Sequence, residues 1–444
     1  MGKYFGTDGV RGFVNDYLTP TIAYRIGRFI GCYPNGHKNK ILIGRDTRIS
    51  GDMLDAALIT GLTRSGAIVY ELGITTTPSI SYLVEKEHFD FGIMISASHN
   101  PYYDNGIKIF GPNGEKLSNE IELLIEDYID RTLDDLPSYK NKEIGRVIDA
   151  KDLIYKYLGF LKNNAKDLSS LDIVVDCAHG SASVVARKLF SDLLDINAVY
   201  INESFNGVDI NLRSGSTHIE HLVEEVKKGQ YDLGVAFDGD ADRLIVVSPT
   251  GKIIDGDNLM YLSALNLKKH GALTDNKVVF TTMSNLGLKI ALKKENIDFI
   301  EVDVGDKNVQ ACLKLNKLPL GGEQSGHIIY YNDLNTGDGL LSAIKVMNIL
   351  VEENKSLDEL VKNLHILPQL LKNEVVVNKA AVMESDELKA IICEVQNELG
   401  ENGRILVRPS GTEQLIRVMV EAETKELCEL HVNKVIALVK ELSS

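Results

Sequence analysis

The chain has 444 residues, a formal net charge of −15 at pH 7 and a hydrophobic content of 44%. At about 100–200 residues per domain, this length predicts two to four domains with sizeable cores. The acidic balance argues against a nucleic-acid partner, because binding to a phosphate backbone requires a basic face. It remains compatible with a small anionic substrate if arginine and lysine residues are concentrated locally.

Membrane segments, export signals and disulfides are not expected. No apolar run approaches the length of about 18 residues that a membrane-spanning helix needs, and the N-terminal residues lack the apolar core of a signal peptide. The five cysteines are far apart and form no Cys-x-x-Cys pair, which argues against both a disulfide framework and a zinc site. These features predict a cytoplasmic protein without membrane contact.

The first predicted feature is a glycine-rich loop at residues 5–12, with the sequence Phe-Gly-Thr-Asp-Gly-Val-Arg-Gly. Its three glycines around Arg11 predict a close approach of the backbone to a ligand or a neighbouring loop. A flexible N-terminal loop is the alternative interpretation. The chain has neither a Walker A loop nor a dinucleotide-binding glycine loop, which disfavours nucleotide chemistry.

Three segments share one pattern, in which a buried apolar strand is followed by a polar turn and a helix. The strand and helix pairs are 40–46 with 52–65, 172–178 with 183–192, and 277–282 with 286–294. Continuous β-branched runs that alternate with helices are typical of α/β domains with a mostly parallel sheet. We therefore predict three related α/β domains, at residues 1–150, 151–255 and 256–368.

The loop after the predicted strand 91–95 is rich in hydroxyl groups. Residues 96–101 read Ser-Ala-Ser-His-Asn-Pro, and small hydroxyl residues before an Asn-Pro turn expose a hydroxyl at the loop tip. In the next strand, alternation places Ile107 and Ile109 on one face and Lys108 on the other. A lysine near a serine can act as a general base if burial lowers its pKa. An ordinary polar turn with an exposed lysine is the alternative.

Three aspartates, Asp238, Asp240 and Asp242, occupy alternate positions between two apolar segments. So spaced, they are placed to converge on one hard cation, and Mg²⁺ prefers oxygen ligands and often completes its shell with a phosphate. Arg243 beside them would suit such a phosphate. A surface acidic turn is a poorer interpretation, because three unshielded carboxylates would repel one another.

The same aspartate loop allows a different chemistry. An Asp-x-Asp sequence after a strand can supply the nucleophile of an aspartyl-phosphate phosphatase, and Asp238 would then be that nucleophile. This interpretation leaves the serine-rich loop without a role and the C-terminal anion loop, described below, unexplained.

A fourth loop, residues 321–327, has the sequence Gly-Gly-Glu-Gln-Ser-Gly-His. Glu323 and Ser325 stand at alternate positions between glycines, and a carboxylate and a hydroxyl so placed can bind sugar hydroxyls. His327 either assists them or is a structural histidine.

The last part of the chain predicts a small α+β domain at residues 369–444. The predicted elements are a strand at 375–377, a helix at 386–399, strands at 404–408 and 415–421, and a final helix that Thr424 caps and that ends at Leu442. This order, without a parallel crossover, is typical of an α+β fold.

The loop between the last two strands is a candidate anion site. It contains Arg408, Ser410, Gly411 and Thr412, and Arg417 follows it. Hydroxyl groups, a glycine that lets backbone amides turn inward and two arginines form an anion cradle, and two arginines allow a bidentate grip on a phosphate. A hairpin turn with a hydroxyl cap is the alternative interpretation.

Four of these loops, in this order, resemble the signature motifs of the α-D-phosphohexomutase superfamily. The motifs are Ser-His-Asn-Pro at 98–101, Asp-Gly-Asp-Ala-Asp-Arg at 238–243, Gly-Glu-Gln-Ser-Gly-His at 322–327 and Arg-Pro-Ser-Gly-Thr at 408–412. The resemblance covers essentially the whole chain and implies four domains around a central cleft. Residues 5–12, residues 99–108 and Gln324 resemble the members that act on glucosamine phosphates.

The resemblance also implies a role for each loop. Ser98 would carry the transferable phosphate and complete the shell of an Mg²⁺ ion held by Asp238, Asp240 and Asp242. Lys108 would be the general base and acid. His99 and Arg243 would support the phosphoryl group, and Arg11 would bind substrate. Glu323 and Ser325 would bind the sugar, with help from His327. The residues implied for the non-reacting phosphate are Arg408, Ser410, Gly411, Thr412 and Arg417.

The implied reaction converts glucosamine 6-phosphate to glucosamine 1-phosphate through a sugar 1,6-bisphosphate, and the product feeds UDP-N-acetylglucosamine and cell-wall synthesis. The implied partners are these sugar phosphates, and an exposed apolar face on the first domain could support a homodimer. A mutase of mannose or glucose phosphates from the same superfamily is the nearest alternative. A non-catalytic sugar-phosphate-binding protein is an alternative from a different class.

Overall fold

A computed structural model describes residues 2–34, 38–410 and 414–443. The strands are β1 (Phe5–Gly6), β2 (Gly9–Phe13), β3 (Lys40–Arg45), β4 (Ile68–Ile74), β5 (Phe91–Ile95), β6 (Asp104–Phe110), β7 (Arg146–Asp149), β8 (Asp172–Asp176), β9 (Asn197–Ile201), β10 (Leu233–Phe237), β11 (Leu244–Val247), β12 (Ile253–Ile254), β13 (Lys277–Thr281), β14 (Asp298–Val302), β15 (Leu320–Gly322), β16 (Ile328–Tyr330), β17 (Gln369–Val375), β18 (Arg404–Pro409) and β19 (Leu415–Glu421).

The helices are α1 (Pro20–Cys32), α2 (Gly51–Arg64), α3 (Thr77–Lys86), α4 (Asn119–Asp130), α5 (Ile154–Asn163), α6 (Ala182–Arg187), α7 (Glu220–Lys228), α8 (Gly256–Lys269), α9 (Leu286–Lys294), α10 (Asp306–Asn316), α11 (Gly339–Glu353), α12 (Leu357–Leu360), α13 (Lys379–Glu384), α14 (Asp386–Leu399) and α15 (Lys425–Ser443). A π-helical stretch, Lys188–Leu193, continues α6. Across the described residues, none of the helices combines the length and the apolar character needed to cross a membrane.

The described chain divides into two compact units. The first comprises residues 2–34, 38–283 and 297–362, and the second comprises residues 284–296, 363–410 and 414–443. The first unit contains three separate sheets and the second contains one. The predicted fold class, three α/β domains followed by an α+β domain, is confirmed. The boundaries at residues 150, 255 and 368 stay predictions.

The first sheet has seven strands in the order β1-β2-β6-β5-β3-β4-β7. Its centre is parallel, because β3 pairs in parallel with both β4 and β5, whereas β6 and β2 continue it antiparallel. Strands β3 and β5 are apolar and buried, as expected for parallel strands covered on both faces. Since these two strands are parallel neighbours, the loops after their carboxyl ends lie at the same edge of the sheet.

Two threonine–proline sequences begin helices of this first domain. Thr19 caps α1 and Thr76 caps α3, each through its side-chain oxygen, and a proline follows within the first turn. Threonine at the N-cap and proline in the first turn both favour a helix start. The cap of α3 places Thr77 at the first position of that helix.

The second and third sheets each combine a parallel core with an antiparallel edge. The second sheet has the order β12-β11-β10-β8-β9, and the third has the order β14-β13-β15-β16. The antiparallel pair β10 and β11 is joined by the turn 238–243, and the antiparallel pair β15 and β16 is joined by the turn 323–327. Both predicted loops are therefore short turns whose ends are fixed by a strand ladder.

These two turns contact each other directly. The backbone N–H of Leu244 donates to the carbonyl oxygen of Gly326 over 3.0 Å. Gly326 has a φ of 94°, and a Cβ atom there would lie 2.2 Å from the carbonyl oxygen of Leu244. Only glycine allows this approach without strain.

The second unit contains an antiparallel sheet in the order β17-β19-β18, with α14 and α15 packed around a common core. The predicted helix 386–399 and the predicted strand 415–421 are confirmed by α14 and β19. The predicted strand at 375–377 is wrong: β17 begins at Gln369 and ends at Val375, because it pairs with β19 along its full length. Helix α13, which was not predicted, fills the segment after it.

Candidate active site

The three aspartates of the β10–β11 turn converge. One carboxylate oxygen from each of Asp238, Asp240 and Asp242 lies within 4.8 Å of the others, and all three residues are buried. Burial and the charges of Asp242 and Asp240 raise the pKa of Asp238 well above its usual range. Among the described residues, Oδ1 of Asp240 and Oδ1 of Asp242 have no hydrogen-bond partner. Oxygen donors that are buried, unsatisfied and mutually repelling fit a hard divalent cation.

Lys108 lies against this triad. Its Nζ is 2.7 Å from Oδ2 of Asp240, 3.0 Å from Oδ2 of Asp242 and 3.2 Å from Oδ2 of Asp8. Burial of the ammonium lowers its pKa, but the three carboxylates outweigh burial and raise the pKa above its ordinary value. The sequence-based condition for a basic lysine, a pKa lowered by burial, is therefore not met in this arrangement.

Ser98 is buried, with 1% of its surface exposed, and its hydroxyl donates to Oδ2 of Asp238 over 2.5 Å. Its φ of 54° is uncommon for a residue other than glycine and is often found at functional sites. The predicted exposed hydroxyl at a loop tip is thus wrong. The aspartate turn of the second α/β domain packs over the serine loop and covers it, and a Cβ atom on Gly239 would lie 2.6 Å from the carbonyl oxygen of Ser98.

Two side chains outside the predicted motifs hold the serine loop. Nη2 of Arg48 donates to the carbonyl oxygens of Ser98 and Asn100 over 2.9 and 2.8 Å. Nδ2 of Asn211 donates to the same two oxygens over 2.9 and 3.0 Å. The Arg-Asp-Thr-Arg sequence at 45–48, directly after β3, was the one local signal that could have identified Arg48. No local signal identified Asn211.

Two arginines, Arg11 and Arg243, lie close enough to His99, the residue after Ser98, to affect its charge. Burial and the charges of Arg243 and Arg11 lower the pKa of His99 to about 4, so its imidazole is neutral at pH 7. Nδ1 of His99 lies 3.4 Å from Oγ of Ser98. Guanidinium groups near the serine loop suit the oxygens of a phosphoryl group.

His327 links the third domain to the triad. Its Nδ1 lies 3.8 Å from Oδ1 of Asp242, and its Nε2 lies 3.7 Å from Oδ2 of Asp306. The backbone N–H of Gly337 donates to Nε2 over 3.1 Å, which assigns the proton to Nδ1, on the side of Asp242. The histidine therefore lies beside the triad and also accepts a structural hydrogen bond, so its role in substrate binding stays a prediction.

Lys116 was missed by the sequence analysis. Its Nζ contacts the carboxylates of both Asp8 and Asp306, and the side chain is almost fully buried. Asp8 also contacts Lys108 and Arg11, so the glycine-rich loop 5–12 is tied to the site by ion pairs. The alternation of acidic and basic groups keeps each buried charge compensated.

The turn 323–327 places the predicted sugar-binding residues beside this network. Oε1 of Glu323 accepts the backbone N–H of Gly305 over 3.2 Å, and the carboxylate adds to the negative charge around Arg243. Ser325 is exposed in the same turn. The first unit thus brings together the residues predicted from the first four loops.

In the second unit, Arg408 and Arg417 stand directly opposite each other on β18 and β19. Burial and the charge of Arg417 lower the pKa of Arg408. Nη2 of Arg417 lies 3.5 Å from Oγ of Ser410. Like charges directly across a strand pair are destabilising, and a bound anion would reduce their repulsion. Gly411 and Thr412 lie outside the described residues.

Comparisons with known proteins agree with this geometry. Four family models match in order: phosphoglucomutase/phosphomannomutase alpha/beta/alpha domain I at residues 2–135, domain II at 155–251, domain III at 255–366 and the C-terminal domain at 371–437. Together they cover most of the chain.

Individual relatives show which members of this family the chain is similar to. The chain is 50% identical to a phosphoglucosamine mutase from Bacillus licheniformis over 443 residues, which are 99% of each protein. A phosphoglucomutase/phosphomannomutase family protein from Burkholderia thailandensis has the same fold, with a TM-score of 0.80, 21% identity and coverage of 99% and 98% of the two chains.

A third similar protein is an N-acetylphosphoglucosamine mutase from Aspergillus fumigatus, solved in complex with GlcNAc-6P and magnesium. Its TM-score is 0.72 at 18% identity, with coverage of 99% and 96% of the two chains. The chain therefore belongs to the phosphoglucomutase/phosphomannomutase family of isomerases, together with the phosphoglucosamine mutases.

Proposed function

We propose that this enzyme interconverts glucosamine 6-phosphate and glucosamine 1-phosphate through a phosphorylated Ser98 and a sugar 1,6-bisphosphate. The observation that carries the proposal is the 2.5 Å contact between the Ser98 hydroxyl and Asp238, a member of the buried aspartate triad. This contact supports a nucleophilic role for the hydroxyl, beside a cluster that fits a divalent cation. The choice of an amino sugar is supported by the 50% identity to a phosphoglucosamine mutase.

The proposed cation is Mg²⁺, held by Asp238, Asp240 and Asp242 with an oxygen on the Ser98 side chain as a further ligand. Magnesium suits a set of oxygen donors and is present in the Aspergillus structure. When bound, such an ion neutralises negative charge on the phosphoryl group.

The side chains around Ser98 would position and transfer the phosphoryl group. The bond between phosphorus and the Ser98 oxygen breaks as a bond forms to the sugar hydroxyl, while Arg11, Arg243 and neutral His99 support the phosphoryl oxygens. We assign proton transfer to Lys108. Its ammonium form can donate to the oxygen that leaves phosphorus, and its neutral form can accept the proton of the attacking hydroxyl.

The other loops would bind the rest of the substrate. Glu323 and Ser325 would bind sugar hydroxyls, with His327 beside them. The residues proposed for the non-reacting phosphate are those of the C-terminal anion loop, Arg408, Ser410, Gly411, Thr412 and Arg417. A bisphosphate that reorients needs both phosphate positions to be fixed, and a second anion loop supplies the distal one.

The proposed partners are sugar phosphates and the sugar 1,6-bisphosphate, since the Aspergillus relative was solved with GlcNAc-6P. We also propose a cytoplasmic location and a role in supplying UDP-N-acetylglucosamine for the cell wall. A homodimer and the absence of nucleic-acid and membrane partners stay predictions.

The proposal is tested by following sugar phosphates with ³¹P NMR. Wild-type protein, Mg²⁺, glucosamine 6-phosphate and a trace of the 1,6-bisphosphate should yield glucosamine 1-phosphate. Ser98→Ala should abolish conversion, whereas Ser169→Ala, at an exposed serine, should not change it. Removal of the cation by EDTA should stop the reaction reversibly.

Each other outcome identifies an alternative. Conversion of glucose or mannose phosphates alone would keep the mechanism and change the substrate. Steady release of free phosphate without isomer would favour a phosphatase with Asp238 as nucleophile. Binding without turnover in phosphorylated protein would indicate a non-catalytic sugar-phosphate-binding protein.

A further inference from the structure

Thr77 lies outside every motif that the sequence analysis singled out, yet it contacts a proposed metal ligand. Its Oγ1 donates to Oδ2 of Asp240 over 2.5 Å, and its backbone N–H donates to the carbonyl oxygen of Asp240 over 3.0 Å. The two residues are 163 positions apart, in the first and second α/β domains. Thr77 is 2% exposed, so water does not compete for this contact.

The two carboxylate oxygens of Asp240 have different surroundings. Oδ2 accepts hydrogen bonds from Oγ1 of Thr77 and from Nζ of Lys108, the latter over 2.7 Å. Oδ1 is buried and has no hydrogen-bond partner in the described parts of the chain. A carboxylate held through one oxygen presents the other in one direction, which is how outer hydrogen bonds orient metal ligands. Oδ1 is thus the oxygen left for a cation.

The start of helix α3 holds Thr77 in place. Oγ1 of Thr76 accepts the backbone N–H of Ser79 over 3.3 Å, and Oγ of Ser79 donates to the carbonyl oxygen of Thr76 over 2.6 Å. Oγ of Ser79 also pairs with Oγ1 of Thr75 over 2.6 Å. The Thr77 side chain is β-branched, which restricts its χ1 rotation. Its hydroxyl is therefore presented from a rigid element.

We propose that Thr77 is a positioning residue for the cation site. Its hydroxyl fixes the carboxylate of Asp240 on Oδ2, so that Oδ1 is directed toward the ion. This inference rests on the cation site proposed above and adds a residue from the first domain to it. The hydrogen bond from Thr77 would thus link the first residue of α3 to the orientation of Asp240 in the second α/β domain.

Valine tests the hydroxyl with little change of shape. Thr77→Val keeps the β-branched side chain and the backbone N–H bond to Asp240, and it removes only the bond to Oδ2. Thr77→Ser keeps the hydroxyl. Thr60→Val is the matched control, because Thr60 is exposed and its hydroxyl bonds only within helix α2, to the carbonyl oxygen of Ala56. Thr77→Ala removes the same hydroxyl if the valine variant does not fold, as judged by near-UV circular dichroism.

The measurement is Mn²⁺ binding to the full-length, dephosphorylated protein by isothermal titration calorimetry, with Mg²⁺ as competitor. Loss of an outer hydrogen bond to a metal ligand typically costs about 10–100-fold in metal affinity. We expect Thr77→Val to raise the Kd at least about tenfold, and Thr77→Ser and Thr60→Val to stay near wild type. The Mg²⁺ concentration for half-maximal turnover should rise in Thr77→Val, with kcat at saturating Mg²⁺ nearly unchanged.

The outcomes separate this inference from the cation site itself. If wild type and Thr77→Val bind Mn²⁺ equally, or if Thr77→Ser loses as much affinity as Thr77→Val, the positioning role is overturned and the cation site stands. If wild type binds no Mn²⁺, the cation site is overturned and the role of Thr77 with it.

Discussion

The two regions proposed to bind phosphate differ in the charges of the side chains that face one another. Beside Ser98, the Lys108 ammonium contacts the carboxylates of Asp8, Asp240 and Asp242. In the second unit, two side chains of like charge, Arg408 and Arg417, stand directly opposite each other on paired strands. The first region thus pairs unlike charges, whereas the second brings two like charges together.

The proposed roles of the two regions differ in the same way: the first orients the reacting groups, and the second holds the phosphate that does not react. A site for phosphoryl transfer gains from groups that are already oriented before the reaction, and mutual ion pairs and hydrogen bonds supply that order. A site for the non-reacting phosphate gains more from clustered positive charge, because that charge attracts the ligand. Removing one cation from each region should therefore change stability by very different amounts.

Removal of the lysine should have the largest effect on stability. Lys108→Met leaves buried carboxylates without their cation, and breaking a buried ion pair typically costs about 3–5 kcal/mol. We expect the free energy of unfolding to fall by about that amount in EDTA, to recover partly with Mg²⁺, and turnover to be lost. Urea unfolding with and without Mg²⁺ checks this.

The control for this variant is Lys166→Met, at an exposed lysine paired with Glu352, which should leave unfolding unchanged. A Lys108→Met protein as stable as wild type in EDTA would show that the triad does not depend on the lysine.

The free energy of unfolding should depend on pH because His99 is buried and neutral. Its pKa is about 4 in the folded protein and 6.5 for an ordinary histidine, so the unfolded chain binds more protons between these values. Stability is therefore full above pH 6.5 and falls as the pH decreases toward 4, by about 3 kcal/mol in all.

His99→Asn should remove this part of the slope in urea unfolding at pH 7, 6 and 5. His88→Asn, at an exposed histidine, should keep it. Parallel slopes for wild type and His99→Asn would contradict a buried neutral imidazole.

Weakening the clamp on the serine loop should have an intermediate effect. Arg48 donates to the carbonyl oxygens of Ser98 and Asn100 through one nitrogen, and this clamp offsets a left-handed backbone that costs about 1–2 kcal/mol at Ser98. Lysine lacks the planar fork of arginine. We expect Arg48→Lys to lower stability by about 2 kcal/mol and to slow phosphorylation of Ser98 more than it raises KM.

Single-turnover transfer from the 1,6-bisphosphate, read by mass spectrometry of the Ser98 peptide, measures that step. Arg64→Lys, at a half-exposed arginine of α2, is the control. An unchanged transfer rate in Arg48→Lys would restrict the clamp to a structural role.

The smallest effect on stability is expected in the second unit. Arg408→Gln removes one of two like charges, so the free energy of unfolding without ligand should change by less than about 0.5 kcal/mol. The KM for glucosamine 6-phosphate should rise at least about tenfold, because a charge-assisted hydrogen bond is lost. Steady-state kinetics and urea unfolding measure the two quantities.

Arg404, on the same strand, is the contrasting control. It pairs with buried Glu421 over 2.7 Å, so Arg404→Gln should destabilise the protein without raising KM in the same way. A loss of stability in Arg408→Gln as large as in Arg404→Gln would remove the contrast between the two regions.

Local features of the sequence predicted much of the fold. The predicted helices 286–294 and 386–399 match α9 and α14, and the predicted strand 415–421 matches β19. Periodicity and capping residues act within a few positions, so they are visible without the tertiary structure. The strand at 375–377 was misplaced because three consecutive polar residues, 372–374, precede Val375, and pairing with β19 extends the strand over them.

The candidate site shows the same difference between local and long-range contacts. Asp238, Asp240 and Asp242 were predicted to converge because a short turn keeps alternate side chains close whatever surrounds it. The burial of Ser98 and the raised pKa of Lys108 were not predicted, because both arise where the second domain packs on the first.

The strand and helix pattern, the aspartate triad and the order of the four loops could be predicted from the sequence, since they depend on residues near one another in the chain. The tertiary structure alone decided the contacts of Thr77, Arg48 and Asn211 with the site. These side chains reach Asp240 or Ser98 across 50 to 163 positions. Such pairings follow from how the sheets pack, and no local propensity encodes them.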